Sequence, residues 1–274
     1  MIALVAGDIH YPRESYLFAQ MLDLIKKTDF DYILLCGDIL NYGNIQLLRN
    51  FLKKIHKYYK SKIIAVMGNH DFWLSKNAKR SGYTSWDLID RYNRIFRSFG
   101  DHLLWKHEYI DRSIGFAGVP GWYDYSFAPW HLGITRKMLD SGFYNGMFWN
   151  DFQYTKFNAK VEEILEPNLI NLRKQLESLR NHKIKKVIVL LHFVPLEDFI
   201  IKDSSKKELF WNAYIGSRKL GDLILEYKDI VRYVFFGHVD VRFLAKKATI
   251  KEGIHFINVD VSNNFDERYI LEIK

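Results

Sequence analysis

Lys62-Ile63-Ile64-Ala65-Val66-Met67-Gly68-Asn69-His70-Asp71 is the stretch whose reading decides the fold. An apolar run, Ile63 to Met67, stops at a glycine and gives way to three polar side chains rich in hydrogen-bonding and metal-ligating atoms. A short apolar run bounded by a turn signal reads as a buried strand. Two similar runs lie upstream: Ile2-Ala3-Leu4-Val5-Ala6 leads into Gly7-Asp8-Ile9-His10, and residues 31–36 lead into Gly37-Asp38. Stretches with helical spacing, at 14–28 and about 44–59, separate the three. The order β-α-β-α-β implies parallel strands joined by helical crossovers. In such sheets the functional loops leave the carboxyl ends of the strands. All three polar motifs therefore face one edge.

Farther along, 83–99 reads as a helix, 103–119 as shorter strand-like pieces and about 158–182 as a long polar helix. Val187-Ile188-Val189-Leu190-Leu191 then runs into His192, and Tyr233-Val234-Phe235-Phe236 into Gly237-His238-Val239-Asp240. Strand-like segments near 254–259 and 268–273 read as an antiparallel tail. The expectation is one domain over 1–274, with an aromatic-rich insertion at about 120–157. Twelve aromatic residues fall in that insertion, with little periodicity. Two compatible readings stand: a local aromatic core, or a lid whose rings stack on an organic leaving group. Trp122 and Tyr123 are the candidate substrate contacts there, and Arg13, just after the first motif, is a candidate phosphate contact.

At 274 residues and 48% apolar content the chain can bury a sizeable core. It contains no apolar run long enough to span a bilayer, and no membrane partner is expected. The secretory pattern of basic start, apolar run and cleavage site is absent from the first residues, and a cytoplasmic location is expected. Cys36, the single cysteine, lies inside an apolar run and reads as a buried thiol. The net charge of +8 is compatible with an anionic substrate. The one dense basic block, Lys53, Lys54, Lys57, Lys60 and Lys62, reads as the solvated face of a helix, so nucleic acid is not the favoured partner. Oligomeric state is left open.

Together the strand-end motifs bring Asp, His and Asn side chains to one place. Asp8 and His10 can reach one cation, Asp38 has two oxygens with which to bridge two, and Asn69, His192 and His238 add a neutral oxygen and imidazole nitrogens. Mixed oxygen and nitrogen donors suit Mn, Fe, Zn or Co better than calcium or a lone magnesium. Two such ions stabilise both ends of an in-line displacement at phosphorus and activate water as the nucleophile. His70 is placed to protonate a leaving group, with Asp71 expected to hold its imidazole in the donating tautomer.

In this order, Asp-x-His, Gly-Asp, Gly-Asn-His-Asp, a single His and Gly-His-x-Asp resemble the calcineurin-like metallophosphoesterase superfamily, over residues 7 to about 240. The resemblance implies an α/β fold of two packed mixed β-sheets flanked by helices, in four layers. It implies that Asp8, His10 and Asp38 hold a first metal, that Asp38, Asn69, His192 and His238 hold a second, and that His70 is the catalytic histidine. The chain departs from the pattern at Asp240, where the superfamily has a His that ligates the first metal. Asp240 is expected to ligate directly or through water, and the added negative charge to favour manganese over zinc. Gly37-Asp38-Ile39-Leu40-Asn41 lacks the second Asp and the Arg of the protein Ser/Thr phosphatases, and Asn41 stands where purple acid phosphatases carry a Tyr ligand. The resemblance is closest to the small prokaryotic phosphohydrolases. The expected function is hydrolysis of a phosphomonoester or phosphodiester, the substrate a small organic phosphate or nucleotide-like molecule. The alternatives are a nuclease of the same superfamily or a non-catalytic scaffold of the same fold.

Overall fold

The computed structural model describes residues 1–273. Two mixed sheets pack face to face. The first has five strands in the order Ile270–Glu272, Ile2–Ala6, Tyr32–Cys36, Lys62–Val66, His102–Leu103. Its first pair is antiparallel and the rest are parallel. The second has six, in the order Ala248–Lys251, Ile254–Asn258, Val231–Phe236, Lys186–Leu190, Ile114–Gly118, Tyr109–Asp111. Its inner four are parallel, and both outer pairs are antiparallel. Tyr32–Cys36 is buried at every position, as a central strand covered on both faces must be.

Helices Ser15–Lys27, Ile45–His56 and Asp87–Phe99 flank the first sheet, the last two packed on each other, and Val161–Asn181 and Arg218–Leu225 flank the second. Local chemistry sets their ends. Asn44 caps Ile45–His56 by accepting from the Gln46 and Leu47 amides, and Gly100, at φ 81°, closes Asp87–Phe99 in the left-handed region. Lys53, Lys54, Lys57 and Lys60 are exposed, while Leu48, Phe51, Leu52 and Ile55 face the core. Among the described residues, no helix is long and apolar enough to cross a membrane.

The tail departs from its sequence reading. Ile254–Asn258 pairs antiparallel with Ala248–Lys251 but parallel with Val231–Phe236, and Ile270–Glu272 crosses to the first sheet. One more strand therefore points its carboxyl end at the functional edge. The aromatic segment holds short elements: helix Arg136–Ser141, a hairpin of Phe143–Tyr144 with Met147–Phe148, and helix Asp151–Tyr154.

Candidate metal centre

The carboxyl ends of the two sheets meet where Gly7, Gly37, Gly68 and Gly237 let the backbones close in. A Cβ on Gly68 would lie 2.1 Å from Asp38 Oδ1, and one on Gly237 would lie 2.2 Å from Asp8 Oδ2. Only a missing side chain leaves room for those carboxylates. Asp8, His10, Asp38 and His238 all have left-handed backbones, with φ of 63°, 49°, 49° and 73°. This conformation costs a non-glycine residue about 1–3 kcal/mol and must be held by its surroundings. The holding bonds run between strands: the His10 amide donates to Asp38 O, the His238 amide to Asp8 Oδ2 and the His70 amide to Asp38 Oδ1.

Asp38 is central. His192 Nε2 lies 3.4 Å from its Oδ1, and His10 Nε2 and His70 Nε2 lie 3.7 and 3.9 Å from its Oδ2. Two groups of candidate donors share it, His10–Asp38–His70 and Asp8–Asp38–His192.

Asn69, His192 and His238 fit a cation on hydrogen-bonding grounds. His192 Nδ1 donates to Cys36 O at 2.9 Å, so its Nε2 carries the lone pair. His238 Nε2 donates to Tyr214 O at 3.2 Å, so its Nδ1 carries the lone pair. Asn69 Nδ2 donates to Asp151, so its Oδ1 faces the imidazoles. Three acceptors thus converge without a proton among them: Asn69 Oδ1 lies 2.9 Å from His192 Nε2 and 3.1 Å from His238 Nδ1, which are 3.1 Å apart. A cation among them would replace mutual repulsion by coordination. His10 Nδ1, buried and without a partner among the described residues, is a further orphaned ring nitrogen. Burial holds all four imidazoles neutral, with His10 brought down to about 4 and His238 to about 3. It pushes the Asp8 and Asp38 carboxyls well above their usual range, and neighbouring carboxylates push them further.

Several expectations need correction. Asp71 does not hold His70. Its carboxylate accepts from the Ile39, Leu40 and Gly68 amides and from Tyr92 Oη, so it buckles the loops together from beneath. The partner of His70 Nδ1 is Asn41 Oδ1 at 3.2 Å, and Trp73 stacks on the ring at 3.5 Å. Asp240 is likewise diverted. Its Oδ1 accepts from the Arg242 amide, and its Oδ2 accepts from Arg242 Nε, Arg242 Nη2 and Asn263 Nδ2 at 2.6–2.9 Å, and among the described residues Asp240 belongs to neither converging group of donors. Trp122 and Tyr123 are buried, stacked on each other and packed edge-on or tilted against Phe193, so neither reaches a substrate.

The acidic residue missed in the sequence is Asp260. Gly7 N donates to Val259 O and Val261 N to Gly7 O, which lays residues 259–261 beside the first motif. The Asp260 carboxyl is buried against that of Asp8 and is pushed up to about 6, chiefly by burial. The sequence does carry a signal for it: another apolar run, Ile254 to Val259, ending in polar residues.

Beside His70 opens a pocket of about 510 Å3, lined by Asn41, Tyr42, Trp73, Trp149, Tyr154 and Trp211, with exposed Arg13 at its rim. Residues 1–242 match the family model for calcineurin-like phosphoesterases. The chain belongs to that family. No curated protein matches it. Among solved structures, the phosphopantetheinyl hydrolase PptH from Mycobacterium tuberculosis is similar at a TM-score of 0.71 and 16% identity, over 99% of this chain and 95% of that one. TT1561 of Thermus thermophilus is similar at 0.54 and 13%, over 94% and 88%. At these identities the likeness is one of fold. It places the chain in the two-sheet α/β architecture of its family, which is metal-dependent and, at the general level, hydrolyses phosphoesters.

Proposed function

We propose that this calcineurin-like phosphoesterase is an enzyme that uses two divalent metal ions to hydrolyse a small organic phosphomonoester or phosphodiester. The observation that carries the reading is the proton-free convergence of Asn69 Oδ1, His192 Nε2 and His238 Nδ1 beside Asp38. Asp38, Asn69, His192 and His238 would hold one ion, and Asp8, His10 and Asp38 the other. When bound, the ions supply Lewis-acid polarisation of the phosphoryl group and lower the pKa of water. Manganese is the first ion to test, because the donors mix carboxylate, amide and imidazole; iron, zinc and cobalt are compatible with the same set.

The chain's own residues do the rest. His70 Nε2 faces the site, and Asn41 and Trp73 fix the ring. It is assigned the proton delivered to the leaving-group oxygen. Burial and the neighbouring imidazoles lower its pKa, and a bound phosphate anion would act in the opposite direction. Arg13, exposed at the pocket, would meet a phosphate oxygen, and the aromatic pocket would receive the organic group. The test is turnover of p-nitrophenyl phosphate and bis-p-nitrophenyl phosphate by the Mn²⁺-loaded protein. Hydrolysis is expected, and the ratio of the two rates separates monoesterase from diesterase. Absence of turnover on both, with two ions bound, would overturn the reading.

A further inference from the structure

Asp151 opens a four-residue helix at the end of the aromatic segment, and its side chain is buried. No cation pairs with it among the described residues. Three neutral donors converge on it instead. Asn69 Nδ2 and Trp73 Nε1 donate to Oδ1 at 2.8 and 2.7 Å, and Trp149 Nε1 donates to Oδ2 at 2.9 Å. Each donor belongs to a different part of the site. Asn69 presents its Oδ1 to His192 and His238, Trp73 stacks on His70, and Trp149 walls the pocket. The segment is anchored to the same loop through its backbone, because Leu74 N donates to Tyr154 O at 2.9 Å.

An amide side chain is ambiguous: turned over, Asn69 would aim an NH2 at two imidazole lone pairs and repel a cation. A carboxylate has no donor when ionised, so it accepts only the NH2 end. The same carboxylate sets the plane of one indole against His70 and of another across the pocket.

We propose that Asp151 is a positioning residue that joins the substrate pocket to the metal centre, fixing the Asn69 amide and both indoles through one carboxylate. The proposal rests on the metal-centre reading above. Residues that orient a metal ligand in this way are typically worth 10–100-fold in metal affinity or activity.

The decisive variant is Asp151→Asn, which keeps the size but offers one acceptor and one NH2 to three donors. If the NH2 takes the place of Oδ1, the Asn69 amide must turn. If it takes the place of Oδ2, Trp149 loses its partner. Calorimetric titration with Mn²⁺, steady-state kinetics on bis-p-nitrophenyl phosphate and tryptophan emission read the two effects. The expected result is about 10–100-fold weaker binding of one ion, a raised KM or both, with an altered emission spectrum. Trp149→Phe removes only the pocket donor and is expected to raise KM while both ions bind as in the wild type. That split is one that general loosening of the fold would not produce. Should Asp151→Asn fail to fold, Trp149→Phe carries the test alone, and an unchanged KM overturns the proposal. An Asp151→Asn protein with wild-type metal affinity and KM also overturns it. A wild type that takes up no Mn²⁺ removes the metal-centre reading itself, which separates that failure from this one.

Discussion

The two halves of the metal centre are held in different ways. Around Asn69, His192 and His238, every donor is oriented from behind: Asp151 behind the amide, Cys36 O and Tyr214 O behind the rings. Around Asp8 and His10 there is less support. His10 Nδ1 has no partner among the described residues, and Asp8 lies against a second carboxyl, Asp260. One half is neutral, shaped and ready. The other is acidic and depends on a cation to relieve it. Preorganised donors lose little freedom on binding, whereas crowded carboxylates must first lose protons. The two ions should therefore bind in sequence and with different pH dependence.

The largest effect should come from Asp38→Asn, since both halves share that carboxylate. Metal analysis of the purified protein should show both ions lost, and with them the turnover that depends on them. A variant that kept one ion at full occupancy would show that Asp38 does not bridge. His70→Ala comes next. It should retain both ions while kcat drops about 10²–10⁴-fold on an alkyl phosphate ester. The loss should be much smaller with a p-nitrophenolate leaving group, which needs little protonation. Equal losses on both would make His70 structural.

Asp260→Asn should separate the halves, weakening the first ion about 10–100-fold and leaving the second unchanged. If both ions weaken together, the two halves behave as one. Proton release upon Mn²⁺ uptake sharpens the contrast further. The Asp260 carboxyl, pushed up to about 6, keeps its proton in the metal-free folded chain below that pH, and burial and neighbouring carboxylates push Asp8 and Asp38 in the same direction. A cation favours the ionised forms and expels them. The imidazoles, with His10 at about 4 and His238 at about 3, are neutral already and contribute none. Calorimetry in buffers of different ionisation heat should find protons released near pH 5.5, with the release declining as the pH rises. Release that grows with pH would assign the protons to other groups. The smallest effect belongs to Asp240→His. Its carboxylate is engaged with Arg242 and Asn263, so metal affinity should change less than about fivefold.

The better-supported half is also the more legible. Asn69, His192 and His238 each come just after an apolar run, and parallel strands deliver their carboxyl-terminal loops to one edge. Asp8, His10 and Asp38 are readable for the same reason. Asp260 is not, because Ile254–Asn258 reads as part of an antiparallel tail, and a strand running the other way would carry its end elsewhere. Asp71 misleads through proximity. Neighbouring side chains at the start of a tight turn diverge, and three backbone amides outcompete one imidazole. Asp240 shows the limit of a motif position, since its oxygens answer to Arg242 two residues on. The aromatic segment carries no periodicity to separate Trp122 and Tyr123, which are core, from Trp149, which walls the pocket. Asp151 is hidden there because its partners are two indole N–H groups and an amide, which no charge pattern reveals.

The left-handed turns at Asp8, His10, Asp38 and His238 have a further consequence. Asp, Asn and His are the residues, after glycine, that tolerate such a backbone best, and they are also the usual ligands for these ions. Two selective pressures therefore converge on the same letters. A descendant of this chain that had abandoned catalysis could keep those four residues for the sake of its loops alone. Asn69 and His192, whose backbones make no such demand, would be freer to drift. Their presence is the better record that a lineage still turns over substrate.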